Sequence, residues 1–427
     1  MSLSVLDEWL RRLELLHPTA IDLGLDRCRD VASRLDLLDS NIITVTVAGT
    51  NGKGSTVSVM EAILVASGLP VGAFTSPHLV RYNERIRVDG REVADEIIVN
   101  AFQAIDEARG SISLTYFEFN TLAALWIFKM LGVNYQLLEV GLGGRLDAVN
   151  IIDANVSIVA AIGLDHQEWL GSDVQTIAVE KCGIGREGRP CIVADANAPA
   201  AVSEELMRIG AIEIAAGRDY RFDNWVYCGL DGSEFEWQVR EGVLPLNAAA
   251  GLAAMDALKI KTDSDLVASA MRRVVLKGRR ERLQYGRIEV ILDVAHNPDA
   301  VSELKYFLSD DQQRKHTVAI FAVMADKDAG AMVRHLEQVV DEWVLPSGIG
   351  GERGQLPDVL ARYIRAPVYV EPSFESAWQR ALIQLNDQGR LLIFGSFFTV
   401  GQGMSRLERA DQLTAKANGD YWKLAIN

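Results

Sequence analysis

A chain of 427 residues exceeds what one compact core organises, so two domains, or three, are expected. Lys and Arg number 43 against 58 Asp and Glu, and the net charge of −15 speaks against a nucleic-acid partner and leaves any anionic ligand to local donors. The four cysteines, Cys28, Cys182, Cys191 and Cys228, form no C-x-x-C pair, which argues against a zinc site or a disulfide framework and fits a reducing cytoplasm.

The N-terminal stretch from Met1 to Pro18 is amphipathic and carries Asp7 and Glu8, unlike a secretory signal. No later run reaches the roughly 18 apolar residues of a membrane span, so a soluble, cytoplasmic protein without a membrane partner is expected. The β-branched run Ile42–Ala48 reads as a strand and Ser55–Ala66 as a helix, with a glycine-rich turn between them. Strands are expected at Val71–Thr75, Tyr135–Val140, Val156–Ile162 and Pro190–Ala194. Helix-length segments at Asp95–Ala108, Phe119–Leu131 and Val174–Gly185 separate them, a pattern that predicts a mostly parallel, doubly wound α/β sheet.

Between Tyr220 and Val243 short aromatic alternating runs predict an antiparallel meander, followed by helices over Asn247–Lys259 and Ser264–Val275. The polar, basic stretch Gly278–Arg287 has no clear period and is expected to be the interdomain linker. Strands over Ile288–Val294, Thr317–Val323, Trp343–Pro346, Val368–Glu371 and Leu391–Phe394 then predict a smaller C-terminal α/β domain, Rossmann-like in alternation but without a Gly-x-Gly-x-x-Gly motif. The expected division is 1–280, an ATPase-like domain with the phosphate loop, and 281–427, a domain that closes over the nucleotide.

The turn "VAGTNGKGST", Val47–Thr56, combines strand end, glycines, lysine and helix start, which together aim backbone N–H groups and a positive helix end at a phosphate. Its spacing departs from the usual phosphate loop, because only Thr50 and Asn51 separate Gly49 from Gly52, and Gly54 stands between Lys53 and Ser55. Thr75–Gly90 reads either as a metal- and substrate-contacting loop or as solvated surface. Glu139 ends a strand, where a carboxylate can reach a magnesium ion on a nucleotide, or it is a buried structural acid. Asp165 and His166 follow another strand end; Lys181 alone reads as an ordinary surface lysine; Asp293 suits either a ribose contact or an N-cap.

Taken together, "VAGTNGKGST", "SPHLVRYNERIRVDG", "SLTYFEFNTLAALW", "LEVGLGGRLDAVNI", "LDHQEWLG", "EKCGI", "DVAHNP" and "GSFFTVG" resemble the folylpolyglutamate synthase and dihydrofolate synthase family, relatives of the Mur ligases, over nearly the whole chain. The resemblance implies an ATP-dependent amide ligase that joins L-glutamate to dihydropteroate and to the glutamate tail of reduced folates through an acyl phosphate. It implies that Gly49, Thr50, Asn51, Gly52, Lys53, Gly54 and Ser55 hold the ATP phosphates, with Asn247, Arg279 and Asp293 at the rest of the nucleotide. Ser76, Glu139 and His166 become magnesium ligands, and Lys181 a carbamylated lysine that places a second Mg²⁺. Lys53, His166 and Lys181 are then the catalytic set, while Asp22, Leu23, Thr115, Tyr116, Phe117, Glu118, Leu146, Asp147 and Ala148 contact the pterin. The C-terminal domain is expected to bind glutamate, and the family pattern implies a monomer. Lys277 stands where the family linker has proline, and the doubled Arg279–Arg280 leaves two candidates for one arginine role. A Mur-type ligase for a nucleotide-linked cell-wall precursor and a nucleotide-binding regulatory module are the rival readings; the stretch near Asp22 speaks against the first, the full set of phosphate and metal residues against the second.

Overall fold

Apolar β-branched runs bounded by glycine and polar residues become strands here, and the 3.6-period segments between them become the covering helices. The computed structural model describes residues 4–19, 21–38, 41–224, 226–236, 242–274, 276–309 and 314–417. The chain divides into two units, 1–78 with 82–275 and 79–81 with 276–427.

In the first unit, strands β1 (Ile43–Ala48), β2 (Val71–Phe74), β3 (Ile86–Val88), β4 (Arg91–Glu92), β5 (Tyr135–Glu139), β6 (Val156–Val159), β7 (Pro190–Val193) and β8 (Ile212–Ala215) form one sheet in the order β4-β3-β2-β5-β1-β6-β7-β8. All neighbours from β2 to β8 run parallel, while β3 and β4 add an antiparallel edge. Side chains alternate across it: Ala48, Phe74 and Leu138 enter the core shared with helices Asp95–Arg109 and Tyr116–Leu131, and Val45, Val47, Ala73 and Leu137 point to the opposite face. Helix Lys53–Ala66 packs on that second face together with helix Pro245–Ala257, so both faces are covered. β1 lies between β5 and β6, both later in sequence, and the loops after β1, β2, β5 and β6 therefore leave the same carboxyl edge side by side. The meander appears as β9 (Arg221–Asp223), β10 (Val226–Cys228) and β11 (Glu234–Glu236); the rest of its expected span includes 225 and 237–241, outside the described residues.

In the second unit, β12 (Glu281–Tyr285), β13 (Ile288–Asp293), β14 (Thr317–Phe321), β15 (Glu342–Pro346), β16 (Val368–Glu371) and β17 (Gly389–Phe394) are ordered β12-β13-β17-β14-β15-β16, parallel except for β12. The expected mostly parallel α/β architecture with a smaller second sheet is thus present. Three local expectations need correction. The stretch taken as a linker contains β12, whose period-2 pattern was hidden because Arg282 and Gln284 flank only Leu283 and Tyr285 as apolar residues; these two pack on the second core. Thr75–Gly90 is not a solvated loop, since it holds a 3₁₀ turn Tyr82–Arg85 and β3, with Tyr82, Asn83 and Arg85 buried. The helix expected to reach Val275 is described only to Arg273, and Val275 lies outside the described residues.

A polar cluster ties the second sheet together. Glu289 accepts from Arg282 Nη1 and Arg390 Nε, each at 2.7 Å, and Lys315 Nζ lies 3.1 Å away. Burial alone would raise this carboxyl, but the bonds from Arg390, Lys315 and Arg282 outweigh it and hold the pKa down at about 2. Because the folded value lies below the ordinary 4.5, the stabilisation is full above that pH and is lost as pH falls towards 2. Glu289→Gln is expected to destabilise the protein by roughly 1–3 kcal/mol at neutral pH. In denaturant titrations the gap from wild type should close as pH falls from about 4.5 to about 2.

Candidate active site

The irregular glycine spacing has a structural reason. Gly52 takes a left-handed conformation, φ 90°, at the N-cap of helix Lys53–Ala66, so the helix begins at Lys53, two residues before the expected start. The loop is moored to the strand-end segment after β6: Thr50 N–H donates to the Ala161 carbonyl at 2.7 Å, Asn51 bridges the same residue, and Thr50 Oγ1 donates to the Gly163 carbonyl at 2.9 Å. Lys53 folds back over the loop, its Nζ 2.9 Å from the Gly49 carbonyl and 3.3 Å from that of Thr50. Ser55 is buried in the first turn, and Gly54 packs against Glu139, the last residue of β5.

Glu139 is 3 % exposed, and its Oε2 accepts the backbone N–H of Ser76 at 3.0 Å. Two of the three expected metal ligands, Ser76 and Glu139, thus adjoin the phosphate loop. The third, His166, sits in a left-handed turn at φ 50° on the segment that Thr50 anchors through Gly163, with its side chain half exposed. Asp165 beside it is buried and caps the His166 N–H at 2.8 Å.

Lys181 is not the surface lysine that its helix alone suggests. It is 4 % exposed, and its Nζ donates to the Gly49 carbonyl at 3.1 Å, the oxygen that Lys53 also reaches. The helix Val174–Cys182 comes this close because Gly144 lacks a side chain: a Cβ there would stand 2.8 Å from the carbonyls of Glu180 and Lys181. Burial and then the neighbouring Lys53 charge push the Lys181 amine down to about 7, against the opposing pull of Asp165 and Asp147. Asp147 is raised to about 7 by burial, although N–H groups of Leu142, Val149 and Gly141 bond its carboxylate.

The expected pterin residues form a connected set beside this loop. Asp22 accepts from Arg27 Nη1 at 2.6 Å, and His17 Nε2 lies 3.2 Å from the same oxygen. Arg27 pairs in turn with Glu118 at 3.2 Å, a contact whose angle falls short of a hydrogen bond. Glu118 and Thr115 close a capping box at the start of helix Tyr116–Leu131. The Phe117 ring packs on Gly141 and against Phe74, 5.7 Å between centroids, which joins this stretch to the turn carrying Leu146, Asp147 and Ala148. Leu23, beside Asp22, is half buried. Arg27 and Arg85 were not singled out from sequence; each is an arginine in a polar run, and only the fold reveals that their guanidinium groups turn inward. His78 accepts from Arg85 Nε at 2.8 Å, and burial followed by that guanidinium pushes the imidazole down to about 4.

Asn247 lies on helix Pro245–Ala257 with its carboxamide against Gly52, 2 % exposed, its Oδ1 buried without a hydrogen bond. In the second unit, both Asp293 oxygens are engaged by backbone N–H groups, Oδ2 by Arg280 at 2.9 Å and Oδ1 by Ala295 at 2.7 Å. Arg280 adopts φ 49° to make this bond, while the Arg279 guanidinium lies 5.5 Å from the Phe397 ring.

A phosphate-type loop served by two buried or folded lysines, with a strand-end carboxylate beside it, defines a nucleotide-dependent class of α/β enzyme. Residues 278–397 match the family described as Mur ligase, glutamate ligase domain. A curated dihydrofolate synthase/folylpolyglutamate synthase of Escherichia coli is 38 % identical over 413 residues, covering 95 % of this chain and 96 % of that protein. Among solved structures, E. coli FolC in complex with DHPP and ADP is similar with a TM-score of 0.91 at 37 % identity, over 96 % of this chain and 99 % of that one. A bifunctional folylpolyglutamate synthase/dihydrofolate synthase with Mn, AMPPNP and L-glutamate bound is similar with a TM-score of 0.86 at 36 % identity, over 95 % and 98 %. The chain belongs to the dihydrofolate synthase/folylpolyglutamate synthase family.

The loop geometry yields a stability test. Gly52→Ala meets a left-handed backbone, which costs about 1–2 kcal/mol, and in addition a collision with the Asn247 carboxamide. Denaturant unfolding should show Asn247→Ala restoring part of the loss in the double variant, leaving the backbone share; equal losses in single and double variants would contradict the packing.

Proposed function

We propose that this chain ligates L-glutamate to dihydropteroate, and to the glutamate tail of reduced folates, with ATP cleaved to ADP and phosphate. The observation that carries the reading is the convergence of Lys53 and Lys181 on the Gly49 carbonyl, next to Ser76 and Glu139 and adjoining the Asp22–Arg27–Glu118 chain. An acceptor acid activated at a phosphate loop with an amine held beside it is what amide ligation requires. The relatives' bound ligands, ADP, AMPPNP, Mn and L-glutamate, support the same assignment.

In this reading the acceptor carboxylate attacks the γ-phosphorus and ADP leaves; the glutamate amine then attacks the acyl carbon, and phosphate departs as the amide forms. Backbone N–H groups at the start of helix Lys53–Ala66 and the Lys53 ammonium hold phosphate oxygens and neutralise their growing charge, within the loop Gly49–Ser55. Asn247, Arg279 and Asp293 contact the nucleoside. The donor set fits a hard divalent cation: Glu139 offers a buried carboxylate bonded to the Ser76 N–H, Ser76 a hydroxyl, and His166 an imidazole on the segment after β6. A magnesium ion held there supplies charge to the phosphate oxygens. The low pKa of Lys181 leaves a neutral fraction of amine near pH 7. Such an amine can add CO₂, forming the N–C bond and releasing a proton, and the resulting carbamate would offer a carboxylate able to hold a second magnesium. Thr115–Glu118, Leu146–Ala148, Asp22 and Leu23 receive the pterin, and the second unit receives L-glutamate. The protein acts as a cytoplasmic monomer.

Phosphate release by purified protein with ATP and Mg²⁺ should depend on both dihydropteroate and L-glutamate. In the same assay Lys181→Ala should lose at least about 100-fold in turnover while ATP affinity, read by calorimetry, stays within a few-fold. Release that ignores both substrates sinks the ligase reading, and near-normal turnover by Lys181→Ala sinks the carbamate.

A further inference from the structure

Arg85 differs from Arg87 and Arg390, which also turn inward. Arg87, two residues along the same hairpin, is clasped by Glu61 through Nε and Nη2, and Arg390 is bonded to Glu289. Arg85 is 7 % exposed, yet among the described residues it makes no ion pair with a carboxylate. Among the described residues its one polar side-chain contact is the bond from Nε to Nδ1 of His78, which leaves that nitrogen unprotonated and the ring uncharged. Its guanidinium carbon lies 5.5 Å from the Tyr116 ring and 6.0 Å from the Tyr82 ring, so aromatic faces flank the group. A cation so withdrawn from water is costly without an anion, and the planar fork of arginine suits a carboxylate through two parallel N–H bonds.

Position narrows the anion. Tyr116 belongs to the stretch assigned to the pterin, and His78 follows Ser76 by two residues, on the loop that meets Glu139. Arg85 therefore touches the acceptor stretch through one neighbour and the phosphate-loop side through the other. We propose that Arg85 binds a carboxylate of the acceptor substrate, its Nη edge taking the two oxygens while His78 and Tyr116 fix the guanidinium plane. This rests on the ligase reading above. Two carboxylates share this chemistry: the reacting one present on every acceptor, and the bystander α-carboxylate carried only by acceptors that already have a glutamate.

The test compares Arg85→Met and Arg85→Lys with wild type on dihydropteroate and on monoglutamyl tetrahydrofolate. The acceptor KM should rise roughly 10- to 100-fold in Arg85→Met, with the KM for ATP and for L-glutamate within about twofold, and Arg85→Lys should recover part of the loss. A rise for both acceptors assigns the reacting carboxylate; a rise for the monoglutamate alone assigns the bystander. A second arm needs no turnover: by a similar factor the wild-type protein should bind a pteroyl carboxamide more weakly than its acid if Arg85 holds the reacting carboxylate, or a monoglutamate α-carboxamide more weakly than its acid if it holds the bystander, and Arg85→Met should abolish that difference. Unchanged acceptor KM in Arg85→Met, a loss confined to L-glutamate, or equal wild-type binding of acid and amide in both the pteroyl and the monoglutamate pair overturns the proposal. Absence of any wild-type turnover would count against the ligase reading, and the binding arm would still decide the role of Arg85.

Discussion

Two ammonium groups share the carbonyl oxygen of Gly49, and most of the first unit is arranged so that they can. Burial weakens the hold of the proton on Lys181, and the like charge of Lys53 at the same carbonyl lowers it further, to about 7. The cost is tolerable because Asp165 and Asp147 offset part of it from buried positions nearby. A surface lysine could not be poised in this way.

The fold makes that meeting possible by topology. β1 runs between two strands that arrive later in the chain, so the phosphate loop, the Glu139 strand end and the segment leading to His166 emerge together. Thr50, bonded both to and from Gly163, couples the first of these to the third. The antiparallel edge formed by β3 and β4 folds the polar run after Ser76 back so that Arg85 reaches Tyr116. Positions are fixed by backbone bonds and small residues, which leaves the charged side chains free to serve chemistry.

Much of this was legible in the sequence, for reasons that differ by residue. Strand and helix periods gave the parallel strands of both sheets except β8, and missed β3, β4 and β12, while the glycines of the phosphate loop gave its place at a strand-to-helix turn. The family resemblance carried the residues that periodicity could not, such as Ser76 and Lys181. Lys181 itself read as surface because a single lysine in a helix carries no mark of burial; the mark lies thirty-seven residues earlier, in the missing side chain of Gly144. β12 stayed hidden for the opposite reason, since charged residues that pair across the sheet, Arg282 with Glu289, look solvated until the partner strand is known. Arg85 and Arg27 were likewise lost in polar runs, because whether a guanidinium faces in or out depends on long-range contacts.

The poise of the Lys181 amine can be measured directly, in CO₂-free buffer that leaves it uncarbamylated, by an NMR titration of the lysine side-chain resonances, assigned with Lys181→Arg. A midpoint near 7 is predicted, rising when Lys53→Met removes the neighbouring charge. A Lys181 that titrates near the ordinary 10.5, or one indifferent to Lys53→Met, would contradict the account.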